Sequence, residues 1–357
     1  SLILLKYIFI TLLLKLILFG SSLASLFIIH LLNCLYKKNV LITGITGQDG
    51  VFLSSEILEK HSDVNIYGIS RKNDNSTFFS KLNSITKKEE GQIKILNINL
   101  ENFEETKRLI KDINPSFVYN LTGPSSVYES ILNPEKTSSQ ITNIFNNLTN
   151  ALVENSNFCN FFQASSSEMF GVSQDQKLSE TSAFNPNSPY AKAKLENHYK
   201  ILELSDRHEW KISSGVMFNH ESQFRDSDYL FMKIINSAID IRNKKIQKLT
   251  LGSLDYIRDW SYAGDIAKAI YKINNSGKAN TYVIGSGKGH EIRNVVEIVF
   301  DEFNLNMTQF IDIDQSFLRE GDPISIISDP TKIKEELNWC PEIDFEKLIK
   351  ICIQSKI

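Results

Sequence analysis

From Lys37 onward, short apolar runs alternate with segments of helical period, and no other feature narrows the fold as much. The runs at 39–43, 65–70, 93–100, 116–121 and 160–166 have the length of buried strands. Between them, 50–61 and 103–113 place apolar residues at helical spacing. Strands alternating with helices require right-handed crossovers and a parallel sheet, so the expected class is a Rossmann-like, doubly wound α/β fold. No long linker divides the chain, so any second part must be interleaved with the first.

Composition sets outer bounds. With 42% apolar and 23% charged residues, the chain can bury a sizeable core. A formal net charge of −3 argues against nucleic acid as partner. Cys34, Cys159, Cys340 and Cys352 show neither metal-ligand spacing nor a disulfide framework, and a reduced, cytoplasmic compartment is the simplest reading. Residues 1–36 stand apart: Leu16–Leu35 reaches the roughly 20 apolar residues that a membrane span needs. Two readings are open: a membrane anchor, or an extension foreign to the working protein. The segment is left out of fold reasoning.

The stretch "VLITGITGQDG" places Gly44, Gly47 and Gly50 three apart, directly after the first strand and at the start of a helix. Glycines there permit a tight turn and close approach of a pyrophosphate to the helix N-terminus. The second strand ends in Ser70, Arg71 and Lys72 rather than in a carboxylate. Two cations suit a ribose 2′-phosphate, which favours NADP; Asp74 nearby leaves NAD as the alternative.

"SPYAKAKLE" carries Tyr190 and Lys194 four apart, on one helix face. An ammonium beside a phenol is expected to lower the phenol pKa from near 10, so that Tyr190 can act as a base on a sugar hydroxyl. "QASSSEMFG" ends a strand at the carboxyl edge of the sheet and adds Ser166, a hydrogen-bonding hydroxyl, and Glu168. A dehydrogenase needs only serine, tyrosine and lysine. The added carboxylate points to proton transfer at a second carbon, and hence to elimination.

At these residues the chain resembles the extended short-chain dehydrogenases/reductases and, within them, the GDP-mannose 4,6-dehydratase family. The motifs are "LITGITGQDG", "YNL", "QASSSEMFG", "SPYAKAKLE", "FNHES", "LGSLDYIRDW", "SGKGHEIR" and "SDPTKIKEELNW", running from about Lys38 to the C-terminus. The resemblance implies an NADP-binding part, mainly 38–215 with 250–287, and a nucleotide-sugar part, mainly 216–249 and 288–345. It implies internal redox on GDP-mannose, from C4 to C6, with a homo-oligomer, dimer or tetramer, as the working unit. By position, Ser166, Glu168, Tyr190 and Lys194 match the catalytic set. Gly44, Ile45, Thr46, Gly47, Gln48, Asp49, Gly50, Arg71, Lys72, Asn99, Leu100, Ser125, His220 and Arg225 match NADP contacts, as do Tyr190 and Lys194. Asn219, Lys233, Arg258, Arg319 and Asp322 match nucleotide-sugar contacts.

The chain departs from the family pattern around the ligands. Ser166 stands for threonine, Asn99 for an aspartate, Lys136 for a tyrosine and Asp322 for a glutamate. Thr122–Pro124 is altered, and Gln223 and Phe224 replace Pro-Arg. The competing readings are an epimerase or reductase on the same fold, for which Glu168 is not needed, and a nucleotide-sugar binder with weak or no turnover.

Overall fold

The computed structural model describes residues 38–71, 74–88, 90–318 and 321–357. The apolar segment 1–36, Lys72 and Arg319 lie outside the described residues. Seven parallel strands form the main sheet. In chain order they are β1 (Lys38–Thr43), β2 (Val64–Ser70), β3 (Ile93–Asn97), β4 (Phe117–Asn120), β5 (Asn160–Ser166), β6 (Ile212–Met217) and β7 (Thr281–Ile284). Their spatial order is β7-β6-β5-β4-β1-β2-β3. The order reverses between β1 and β4, which pair Ile42 with Tyr119 and Thr43 with Asn120. In such a sheet the ligand crevice opens outside the carboxyl ends of these strands. The expected doubly wound class is thus the observed one. Two strand expectations were too long: the third ends at Asn97 rather than Leu100, and the fourth at Asn120 rather than Leu121. Beyond each end the chain turns across the sheet edge to build loops.

Alternation along each strand feeds two helical layers. Val40 and Ile42 face α1 (Gln48–Lys60) and α7 (Ala263–Asn275), where Val51, Leu53, Ile57, Ile266, Ile270 and Ile273 are buried. Leu41, Val118 and Phe161 face the other way, toward α3 (Phe103–Ile113), α4 (Pro134–Glu154) and α5 (Pro189–His208). The remaining helix on the β2 side, α2 (Ser76–Asn83), buries Phe78 and Leu82 against the first layer. Each such side chain contributes roughly 1.5–3 kcal/mol by leaving water. A third core joins α6 (Leu230–Arg242), α8 (Ile292–Glu302) and α9 (Phe345–Gln354) around Trp260, whose ring lies 5.8 Å from Phe231 and 5.9 Å from Phe345. Among the described residues no helix is long and apolar enough to cross a membrane.

Candidate active site

The glycine turn divides its labour. Gly44 has φ +70°, a left-handed conformation that side chains resist. A Cβ on Gly50 would lie 2.4 Å from the Ile45 carbonyl oxygen, so only glycine lets the helix start so close to the turn. Gly47 needs glycine for neither reason: φ is −71°, and a Cβ there would meet nothing nearer than 3.4 Å. It is exposed at the N-cap of α1, where the first N–H groups have no partner within the helix. Bareness at that point fits an anionic group drawn close to the backbone. Ile45 is fully buried beneath Gly68, and Thr46 is half-buried.

The turn is bolted to "FNHES". Gln48 donates to the His220 carbonyl at 2.9 Å and accepts from the Ser222 hydroxyl at 2.8 Å. Asp49 Oδ1 lies 3.1 Å from His220 Nε2, while His220 Nδ1 donates to the Phe218 carbonyl at 2.7 Å. Burial pulls the imidazole pKa down, but the Asp49 carboxylate beside it outweighs that and leaves His220 raised. The same pairing overcomes burial at Asp49 and holds its carboxyl below the usual range. Arg225 pairs at 3.2 Å with the buried Glu221, whose pKa burial raises. Its guanidinium stacks 3.5 Å above the Tyr229 ring, and the Tyr229 hydroxyl shares a 2.5 Å hydrogen bond with Ser125.

β5 and α5 bring the four expected catalytic residues into one cleft. Ser188 caps α5 through the Ala191 N–H, and Pro189 opens its first turn. The helical period then buries Tyr190, Lys194, His198 and Ile201 along one face. After β5, Ser166 accepts from the Glu168 N–H at 3.3 Å and turns the chain into a short 3₁₀ segment that presents Glu168 to the cleft. The Ser166 hydroxyl also works on Tyr190, where it lowers the phenol pKa against burial. Lys194 Nζ sits 5.7 Å from the centre of the Tyr190 ring and donates to the Ala164 carbonyl at 2.9 Å. Burial pushes Tyr190 up to about 12 and Lys194 down to about 8. The expected lowering of Tyr190 by Lys194 is therefore not found: burial dominates, and the ammonium is spent on a backbone carbonyl.

The cleft encloses about 500 Å³ and runs from Asp49 to Asp322. Ser125, Asn219, His220, Arg225, Lys233 and Arg258 also line it. Arg258 Nη2 lies 3.2 Å from Asp322 Oδ1, and its Nη1 donates to the Ile257 and Pro323 carbonyls at 2.9 Å each. Lys233 Nζ is 5.4 Å from the centre of the Phe317 ring, and the Asn219 carbonyl accepts from the Ser261 N–H at 2.9 Å. Arg71, Asn99 and Leu100 lie elsewhere, at the ends of β2 and β3: Arg71 and Asn99 are exposed and Leu100 is buried. Asn99 accepts from the Glu101 N–H, and its own N–H donates to Glu105.

Sequence reasoning passed over Asp259, a buried residue of "LGSLDYIRDW". Its carboxylate accepts from the N–H groups of Ser286, Gly287 and Ser328 at 2.8, 2.9 and 3.1 Å, and from both serine hydroxyls. "LGSLDYIRDW", "SGKGHEIR" and "SDPTKIKEELNW" thus converge on one side chain next to Arg258. Tyr229 and Glu221 were also missed. A lone tyrosine or glutamate carries no spacing signal.

This parallel sheet, glycine turn and Ser-Tyr-Lys cleft define an extended short-chain dehydrogenase/reductase. The sequence model of GDP-mannose 4,6 dehydratase matches residues 41–352. The Arabidopsis thaliana protein GDP-mannose 4,6 dehydratase 2 is 31% identical over 329 residues, covering 90% of this chain and 87% of that one. The chain belongs to the GDP-mannose 4,6-dehydratase family, and its activity is a lyase activity of the dehydratase type. Among solved structures, the dTDP-glucose 4,6-dehydratase of Bacillus anthracis, in complex with NAD, matches with a TM-score of 0.76 at 19% identity, covering 89% of this chain and 96% of that one. RMD from Pseudomonas aeruginosa, complexed with NADPH, gives 0.72 at 18% identity over 89% of this chain and 99% of that one. At such identities both share the fold, which in each holds a nicotinamide dinucleotide.

Proposed function

We propose that the chain dehydrates GDP-mannose to GDP-4-dehydro-6-deoxy-mannose, with NADP as resident cofactor. The observation that carries this reading is Glu168 in the same cleft as Ser166, Tyr190 and Lys194. Tyr190, in the same cleft as Ser166, takes the proton of the C4 hydroxyl. Glu168 removes the C5 proton and passes it to the C6 hydroxyl, which leaves as water. Ser166 serves both residues, since its hydroxyl lowers the Tyr190 pKa and its oxygen braces the Glu168 backbone.

NADP would be held at the glycine turn, where bare Gly47 leaves room for a diphosphate, with the charges of Arg71 and Lys72 suited to the 2′-phosphate. When bound it would accept the C4 hydride and supply it to C6, and would add a positive charge that favours the Tyr190 phenolate. Support for NADP over NAD comes from Asp74. Its carboxylate accepts from the Ser76 N–H at 2.9 Å and the Ser76 hydroxyl at 3.1 Å, and so opens α2 rather than facing a ribose. Arg258, Lys233, Asn219 and Arg319 would hold the nucleotide sugar, because a diphosphate favours bidentate cationic donors. Asp322 fixes Arg258 for that task. On this reading 38–215 with 250–287 serves NADP, while 216–249 and 288–345 serve the sugar nucleotide. Tyr199 and Leu202, exposed along α5, support a homo-oligomer as the working unit.

The test is to incubate the full chain with GDP-mannose and a trace of NADP and follow product mass. Loss of one water with no net NADPH is expected. Retention of that water with substrate bound would overturn the dehydratase reading in favour of an epimerase or a binder.

A further inference from the structure

A buried chain of side-chain hydrogen bonds runs beneath the cleft, through residues that the reaction does not use. The Thr43 hydroxyl donates to Asn120 Oδ1 at 2.7 Å, and Asn120 Nδ2 donates to Gln163 Oε1 at 2.8 Å. Gln163 Nε2 donates at 3.0 Å to the Ala164 carbonyl, the same oxygen that accepts from Lys194 at 2.9 Å. Thr43, Asn120 and Gln163 are each at most 2% exposed, so none of these groups can turn to water. The chain crosses the ends of β1, β4 and β5 and joins the residue before Gly44 to the carbonyl held by Lys194.

Its direction is forced from one end. A carbonyl can only accept, so Gln163 must present its NH₂ to Ala164 and its oxygen to Asn120. Asn120 then presents its NH₂ to Gln163 and its oxygen to Thr43. The Thr43 oxygen in turn accepts from the Thr122 N–H at 3.3 Å. All the dipoles point one way, and aligned hydrogen bonds strengthen one another. The positive end lies at the acceptor that the ammonium shares.

We propose that Thr43, Asn120 and Gln163 are positioning residues that compete with Lys194 for the Ala164 carbonyl, and so make its amine readier to give up a proton during turnover. The inference rests on the reading of Lys194 as part of the reaction machinery. Burial works in the same direction, and Asp49 works against it. The groups that face Lys194 are Asp49, from the first turn of α1, and Tyr190, one turn away on α5; His220 and Arg225 stand behind Asp49.

The test is NMR titration of the full chain labelled with [ε-¹³C]lysine, with Lys194 assigned through Lys194→Met. Gln163→Met removes the competing donor at similar volume and should raise the Lys194 midpoint by roughly 0.5–1 pH unit, the worth of one hydrogen bond. Thr43→Val breaks only the far end and should raise it less. The pH at which kcat turns over should move in the same direction. An unmoved or lowered midpoint in Gln163→Met overturns the proposal. If that variant does not fold, an unmoved midpoint in Thr43→Val does so. A Lys194→Met enzyme that still dehydrates would sink the catalytic reading alone, since the titration is read without turnover.

Discussion

Asp49 and His220 form an ion pair at 3.1 Å between the first turn of α1 and the strand that follows "FN". The pair closes the glycine turn against the far side of the cleft, and Gln48 repeats the closure through the His220 carbonyl. Asp49→Asn leaves the imidazole in place without the charge that raises its pKa. Breaking a buried pair costs about 3–5 kcal/mol, and part exposure of Asp49 reduces that to roughly 2 kcal/mol. The urea midpoint should fall accordingly, and NADPH should bind at least about tenfold more weakly by fluorescence titration. Unchanged NADPH affinity in a destabilised variant would limit the pair to a structural part.

In the proposed reaction, Glu168 separates elimination from simple oxidation. Glu168→Gln keeps the Ser166 hydrogen bond to the residue 168 N–H, so the local turn should survive. Removing a general acid or base slows a step by about 10²–10⁴-fold. Release of water from GDP-mannose should drop by that factor, and deuterium from solvent should cease to appear at C5. Tyr190→Phe should block earlier, at C4. Deuterium incorporation that persists in Glu168→Gln would assign the C5 proton to another group.

Much of the fold and part of the site could be read along the chain because their signals are local. Helical spacing places Tyr190 and Lys194 on one face, and the run before Gly44 marks β1. The links that set the chemistry are of another kind. Thr43 meets Asn120 across 77 positions, Asp49 meets His220, and Asp259 gathers Ser286 and Ser328. Strand order and loop closure make such pairs, and neither leaves a period in the sequence. Tyr190 shows the same limit in energetic terms. Its neighbour at four residues was legible, but its burial, which governs the phenol, was not.

Asp259 offers a cut between the two halves of the cleft. Its oxygens serve donors from two loops next to Arg258, and an amide in its place must turn an NH₂ toward one of them. Asp259→Asn should cost about 3 kcal/mol in urea unfolding, the range for buried hydrogen bonds to a charge. With the Ser328 segment loosened, Arg258 and Asp322 lose their setting. GDP should then bind more weakly by calorimetry while NADPH affinity holds. Loss of both affinities together would mean that Asp259 supports the whole fold rather than the proposed sugar-nucleotide side.

His198 sets a pH limit. It is buried on the active face of α5, and Ser214, which donates to Ser165 at 2.8 Å, accepts from His198 Nδ1 at 3.0 Å. Burial pulls its pKa from 6.5 down to about 4. Between those values the unfolded chain binds a proton that the folded chain refuses, so stability falls as pH drops. The contribution is complete above about pH 6.5 and is lost by about pH 4, on the order of 3 kcal/mol in all. His198→Asn offers the same hydrogen bond to Ser214 without titrating. Urea unfolding at pH 7 and at pH 4.5 should show the wild-type chain losing more stability than the variant. Equal losses would place the acid sensitivity at another group, and would mean that His198 stays protonated within the fold.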